Sequence, residues 1–170
     1  MTSPRVLVAG IGNIFLGDDG FGVAVVQRLL QRGALQSAAR VQDFGIRGLD
    51  LVYTLLDGWD ILVIVDAMQQ RQAPGTLFVF EPELSAQNSH TSAAPEPHGM
   101  TPVHVFSLLQ SMGGSLPGVT RIVGCEPESF GSEEDGRLGL STPVANAVEP
   151  AAERVEALVA ELVAEFRVYV

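Results

Sequence analysis

Lysine is absent from this sequence, and all ten basic residues are arginine. That excludes Schiff-base catalysis, pyridoxal chemistry and a phosphate-loop lysine. Cysteine occurs once, which excludes a disulfide framework and any multi-cysteine zinc site. Long apolar runs are missing: none approaches the ~20 residues needed to span a bilayer. Basic charge is scarce, with twenty acidic residues against ten basic ones and a formal net charge of -10. Such a surface repels a duplex or an anionic membrane, so neither nucleic acid nor membrane is expected as a partner.

What is present is the composition of a folded chain. Its 170 residues are 46% hydrophobic and 18% charged, the size of a single domain, 1–170, around one core. Met1 to Pro4 run directly into a strand-like segment without a basic-then-apolar leader, so a soluble cytoplasmic protein is expected.

The order of elements points to an α/β fold. Arg5 to Ala9 reads as a buried strand, and Gly20 to Gln31 as a helix with Phe21, Val25 and Leu29 on one face, ended by Gly33. Val41 to Phe44 is a second strand, Gly48 to Leu56 a second helix, and the continuous β-branched run Ile61 to Val65 a strand covered on both faces. Thr76 to Phe80 is a fourth strand, Thr101 to Met112 a third helix, and Val119 to Cys125 a fifth strand. The apolar stripe of the third helix is Val105, Leu108, Leu109 and Met112. Pro143 opens a last helix that faces the core with Val155, Leu158, Val159 and Leu162. Glu83 to Pro97 and Glu126 to Thr142 read as long polar loops.

Strand–helix–strand–helix–strand predicts a parallel core with right-handed crossovers. No helix separates strands three and four, so strand four is expected to run antiparallel in a mixed sheet. Ligands of such sheets bind beyond the carboxyl ends of the strands. Asp18 and Asp19 follow strand one, Asp43 ends strand two and Asp66 ends strand three, which predicts carboxylates gathered at one rim.

Several chemistries can be weighed on these residues. Gly10 and Gly12 open a dinucleotide-type glycine pattern, but Phe15 stands at the third glycine and two aspartates follow where a pyrophosphate would lie. Those anions repel phosphate, so a tight turn is the better reading. No serine occupies a nucleophile elbow; Ser129 and Ser141 have no local base, and Cys125 at the end of a buried strand reads as a structural thiol. A metal-centred reading is stronger. Asp19, Asp66 and one histidine of His90, His98 and His104 would form a carboxylate–imidazole set suited to nickel, zinc or manganese. His98 lies nearest the rim; His104, six residues on, points about 240° away on a helix. The plain alternatives are helix capping by Asp18 and Asp19, a strand-end cap at Asp66, and solvent-facing histidines. Pattern alone leaves the two readings level.

The motifs taken together are specific. Gly10 to Gly22 reads GIGNIFLGDDGFG, and Asp43 to Gly48 reads DFGIRG. Val65-Asp66-Ala67 is followed by Pro74-Gly75-Thr76, and His98 by a helix containing Phe106-Ser107-Leu108-Leu109. Val123-Gly124 leads to Pro127-Glu128-Ser129 and Gly139-Leu140-Ser141, and Val148-Glu149-Pro150 opens the last helix. This series resembles, over nearly the whole chain, the hydrogenase maturation proteases, endopeptidases that trim the nickel–iron hydrogenase large subunit. Phe44 and Ile46 depart from it, standing where the family usually has small and hydroxyl residues.

The resemblance implies a three-layer α/β/α sandwich of the phosphorylase/hydrolase-like kind, with a five-stranded mixed sheet of order 2-1-3-5-4 and strand four antiparallel. It implies metal contacts at Asp19, Asp66 and His98, which with Asp43 form the expected catalytic set. The implied partner is a nickel–iron hydrogenase large-subunit precursor, from which a C-terminal extension is removed once nickel is in place. Nickel would then be supplied by the substrate, and zinc or cadmium could occupy the same site. A monomer is expected. The competing reading is a non-catalytic metal-binding module or chaperone for hydrogenase assembly.

Overall fold

The computed structural model describes residues 3–82, 101–131 and 138–169. Five strands form one sheet: β1 (Val6–Ile11), β2 (Arg40–Gly45), β3 (Ile61–Ala67), β4 (Leu77–Phe80) and β5 (Val119–Cys125). Their order is β2-β1-β3-β5-β4. The pairs β1–β2, β1–β3 and β3–β5 are parallel, and β4 pairs with β5 antiparallel. This is the topology expected from the missing helix between the third and fourth strands.

Among the described residues four α-helices cover the two faces: α1 (Phe21–Arg32), α2 (Gly48–Leu56), α3 (Pro102–Ser111) and α4 (Thr142–Tyr169). Central strands that are apolar at every position divide their side chains between two cores by simple alternation. Val6, Val8, Ile61, Val63 and Val65 join Phe21, Val25 and Leu29 of α1 and Val155, Leu158, Val159 and Leu162 of α4. Leu7, Ala9, Leu62 and Ile64 join Leu51, Val52 and Leu55 of α2 and Val105, Phe106 and Leu109 of α3.

Three expectations need correction. The buried stripe of α3 includes Phe106, whereas Met112 caps the helix and is exposed. Pro150 lies inside α4 and does not open it. The helix spans it because a proline removes only one internal hydrogen bond, while Val144, Ala147, Ala151, Ala152 and Val155 bury a continuous face on either side. Neither Asp18 nor Asp19 caps α1: they form a 3-10 turn, Asp18–Gly20, and the N-cap of α1 is Gly20, without a side-chain hydrogen bond.

The first glycine motif is a packing device. β1 runs so close to the start of α1 that a Cβ on Gly22 would lie 2.2 Å from the Val65 carbonyl oxygen and 2.4 Å from that of Ile11. Gly12 has φ +129, and a Cβ there would lie 1.9 Å from the Asp19 carbonyl oxygen. No L side chain fits either place without backbone movement. The close approach brings the Asp18–Asp19 turn down onto the carboxyl edge of the sheet.

Candidate active site at the carboxyl rim

Register places two of the expected carboxylates on the strand ends that flank β1. Asp43 pairs with Gly10 across β2–β1, and Val65, just before Asp66, pairs with Gly10 across β3–β1. Asp66 itself pairs with Gly124 of β5. The β1–β2 ladder then slips, because Gly10 pairs with Asp43 but Ile11 pairs with Gly45. Phe44 is the extra residue of this bulge. Its ring is fully buried in the α2–α3 core, whereas Ile46 is 61% exposed at the rim. The bulge ends β2 in a turn that accepts the Gly12 N–H on the Gly45 carbonyl at 3.0 Å. A bulge commonly re-aims a side chain beside a functional site, and here it turns the chain directly after Asp43.

Asp19 reaches the same rim from the turn before α1. Its Oδ2 accepts the Asn13 N–H at 2.8 Å, which ties the carboxylate to the glycine loop. Asp66 is only 7% exposed. Burial pushes its carboxyl well above the usual carboxylate range, the nearby charge of Asp19 pushes it further, and a main-chain hydrogen bond at Ala67 opposes both. The charges of Asp19 and Asp66 therefore repel when both are ionised. Asp43 stands two strands from Asp66 along the edge, on the far side of β1.

His90 and His98, and the segments from Glu83 to Pro97 and around Glu133-Glu134-Asp135, lie outside the described residues. His104 is on α3, with its Nδ1 3.2 Å from the Thr101 hydroxyl oxygen, and that threonine caps the helix. Among the described residues no three of His, Cys, Asp and Glu gather as a set able to hold a metal ion. The carboxylates present are hard oxygen donors for a divalent cation, but two of them alone make an open and weak site.

Asp18 is the functional surprise beside them. It is 1% exposed, and its Oδ2 accepts the N–H groups of Glu128 at 2.8 Å and Ser129 at 3.3 Å and the Ser141 hydroxyl at 2.9 Å. Its Oδ1 accepts the Ser141 N–H at 2.7 Å. The first motif and the Glu128-Ser129 and Ser141 motifs are thus parts of one hydrogen-bonded unit. Their joint occurrence was the available signal; spacing could not reveal it, because the partners lie more than a hundred residues apart.

Cys125 is fully buried. Burial, with the charges of Asp18 and Glu126, pushes its thiol up to about 12. It remains a thiol at neutral pH and cannot act as a thiolate nucleophile. A cavity of about 390 Å³ beside β4, lined by Gln70, Gln72, Thr76, Phe78 and Phe80, includes none of the rim carboxylates.

The family model for hydrogenase maturation proteases matches residues 23–158. The chain belongs to the hydrogenase maturation protease family. It is 33% identical over 158 residues to the hydrogenase 2 maturation protease of Escherichia coli, covering 92% of each chain. In structure it matches the hydrogenase maturating endopeptidase HybD from E. coli with a TM-score of 0.72 and 31% identity, covering 92% of this chain and 93% of that one. It also matches a nickel–iron hydrogenase maturation protease from Thermococcus kodakarensis with a TM-score of 0.69 and 26% identity, covering 92% of both chains. Membership makes this protein an endopeptidase of hydrogenase maturation, with the mixed five-stranded α/β fold of its relatives. No helix among the described residues is long and apolar enough to cross a membrane.

Proposed function

We propose that this protease removes the C-terminal extension of a nickel–iron hydrogenase large-subunit precursor that already carries nickel, and that the substrate's nickel completes the site. The observation that carries this reading is the pair Asp19 and Asp66. Asp66 is buried, and both its burial and the charge of Asp19 disfavour its ionisation. A cation arriving beside them would remove that penalty. An open two-carboxylate set holds a divalent ion weakly by itself, which suits an ion delivered and retained by the substrate's own softer ligands.

His98, at the end of the segment before α3, is the proposed third contact. Nickel in this setting would polarise the scissile carbonyl or acidify an attacking water. The chain's own part is to place the carboxylates: Asn13 holds Asp19 by its main-chain N–H, and the bulge at Phe44 fixes the turn after Asp43. One rim carboxylate, Asp19 or Asp43, accepts the water's proton. Ile14, Phe15 and Ile46 expose apolar side chains from the two loops joined by the Gly12–Gly45 hydrogen bond, and such a surface suits the polypeptide around the cleaved bond.

The test is cleavage of purified precursor with and without inserted nickel, followed by mass measurement of the large subunit. Cleavage confined to the nickel-loaded form is expected. Equal cleavage of both forms would remove the metal from the mechanism. Tight stoichiometric metal in the isolated protease would indicate a resident ion instead.

A further inference from the structure

Asp18 and Asp19 are consecutive, yet their carboxylates point to different parts of the molecule. Asp19 turns back to Asn13 and the sheet edge. Asp18 turns the other way, into the connection between β5 and α4, where three main-chain N–H groups and one hydroxyl converge on its two oxygens. The same connection is joined to the turn by a bridge between Gly17 and Phe130 and by the Gly131 N–H donating to the Leu16 carbonyl at 3.1 Å. The short turn carrying Asp19 is therefore held on both sides, by Asn13 on the rim side and by Glu128, Ser129 and Ser141 on the other.

We propose that Asp18 is a positioning residue for the proteolysis inferred above: it clamps the β5–α4 connection to the turn and thereby holds the Asp19 carboxylate toward Asp66. The role rests on acceptor geometry, and only a carboxylate supplies it. An asparagine has the same shape but one acceptor oxygen. If that oxygen takes the Oδ2 place, the amide N–H₂ meets the Ser141 N–H donor; if it takes the Oδ1 place, the amide meets the donors of Glu128 and Ser129. Either orientation opposes donors in a buried site, and the turn must shift to relieve it.

The experiment compares Asp18→Asn and Ser141→Ala with the wild type, using nickel-loaded precursor at a temperature well below each melting midpoint. The backbone amide resonance of Asn13 is followed in parallel, since that N–H reports directly on the Asp19 carboxylate. For Asp18→Asn, kcat should fall by about ten- to a hundredfold with KM little changed, the scale expected when a reacting group is misplaced by about 1 Å. The Asn13 amide resonance should move. Ser141→Ala, which keeps the main-chain donors, should show a smaller change of the same kind in both readouts. A folded Asp18→Asn protein with wild-type kcat, or an unmoved Asn13 resonance, would overturn the proposal, as would a loss confined to KM. If Asp18→Asn does not fold, Ser141→Ala decides by the same two readouts. The amide shift does not depend on the substrate, so its outcome stands apart from whether the nickel-dependent reading itself survives.

Discussion

The two sides of the Asp18–Gly20 turn use the same functional group for opposite ends. On the inner side, Asp18 is buried and receives four hydrogen bonds, so its charge is spent within the protein. On the rim side, Asp66 is buried beside Asp19, and both the burial and that neighbour disfavour its charge. A buried carboxylate is stable when donors surround it and costly when another carboxylate faces it. The inner side is built to hold the molecule together; the rim is where the proposed reading puts the substrate's metal.

The largest effect that separates the two is on activity at the rim. Asp19→Asn should lower precursor cleavage by on the order of a thousandfold or more, the scale of losing a group that stabilises developing charge. Its melting temperature should stay close to wild type. Cleavage near the wild-type rate would remove Asp19 from the site. Gly12→Ala should be the most damaging change to the frame. Its Cβ would meet the Asp19 carbonyl at 1.9 Å, at φ +129, and strain plus displacement should destabilise by at least ~3 kcal/mol. Denaturant unfolding measures it, and a wild-type midpoint would contradict the close approach of β1 and the turn.

Asp66→Asn should divide activity from stability. Cleavage should be lost, while stability at neutral pH should rise. The sign follows from linkage. The folded-state carboxyl of Asp66 is raised above its unfolded value, so its contribution is intact below the unfolded pKa of about 4 and lost as pH climbs through the folded value. The neutral amide escapes that loss. Melts across pH should show the variant ahead of wild type near pH 7 and the gap closing near pH 4. A gap that widens in acid would reverse the assignment.

The smallest effect belongs to the surface. Glu149 of α4 pairs with Arg28 and Arg32 of α1, and Arg32 also grips Glu156 through two bonds of 2.8 and 2.9 Å. The arginines hold the Glu149 carboxyl below the usual range, so its stabilisation is present at neutral pH and lost on acidification. Because the pairs are exposed, Glu149→Gln should lower the melting midpoint slightly, and added salt should erase the difference.

The fold was legible where local pattern sufficed. α2 at Gly48–Leu56 and β5 at Val119–Cys125 have the bounds that periodicity and glycines suggested, and the antiparallel β4 follows from a connection too short for a crossover. The rim was legible in outline, since strand ends carry the aspartates. What local pattern missed depends on distant partners. Asp18 looks like a helix cap until Glu128, Ser129 and Ser141 are folded against it. The bulge that buries Phe44 and exposes Ile46 needs the β1 register. Pro150 looks like a helix start, yet the buried faces on either side of it carry the helix through.

The single cysteine has a consequence for how such a protease could handle a metal-bearing substrate. An exposed thiolate would be a strong competing ligand for a divalent transition metal. Cys125 is the chain's only thiol, sealed in the core and held protonated with its titration pushed up to about 12. The enzyme therefore offers oxygen donors at its rim and no competing thiolate. If the proposed nickel-bearing precursor is the substrate, the ion would stay with the protein it was loaded into when the trimmed subunit is released.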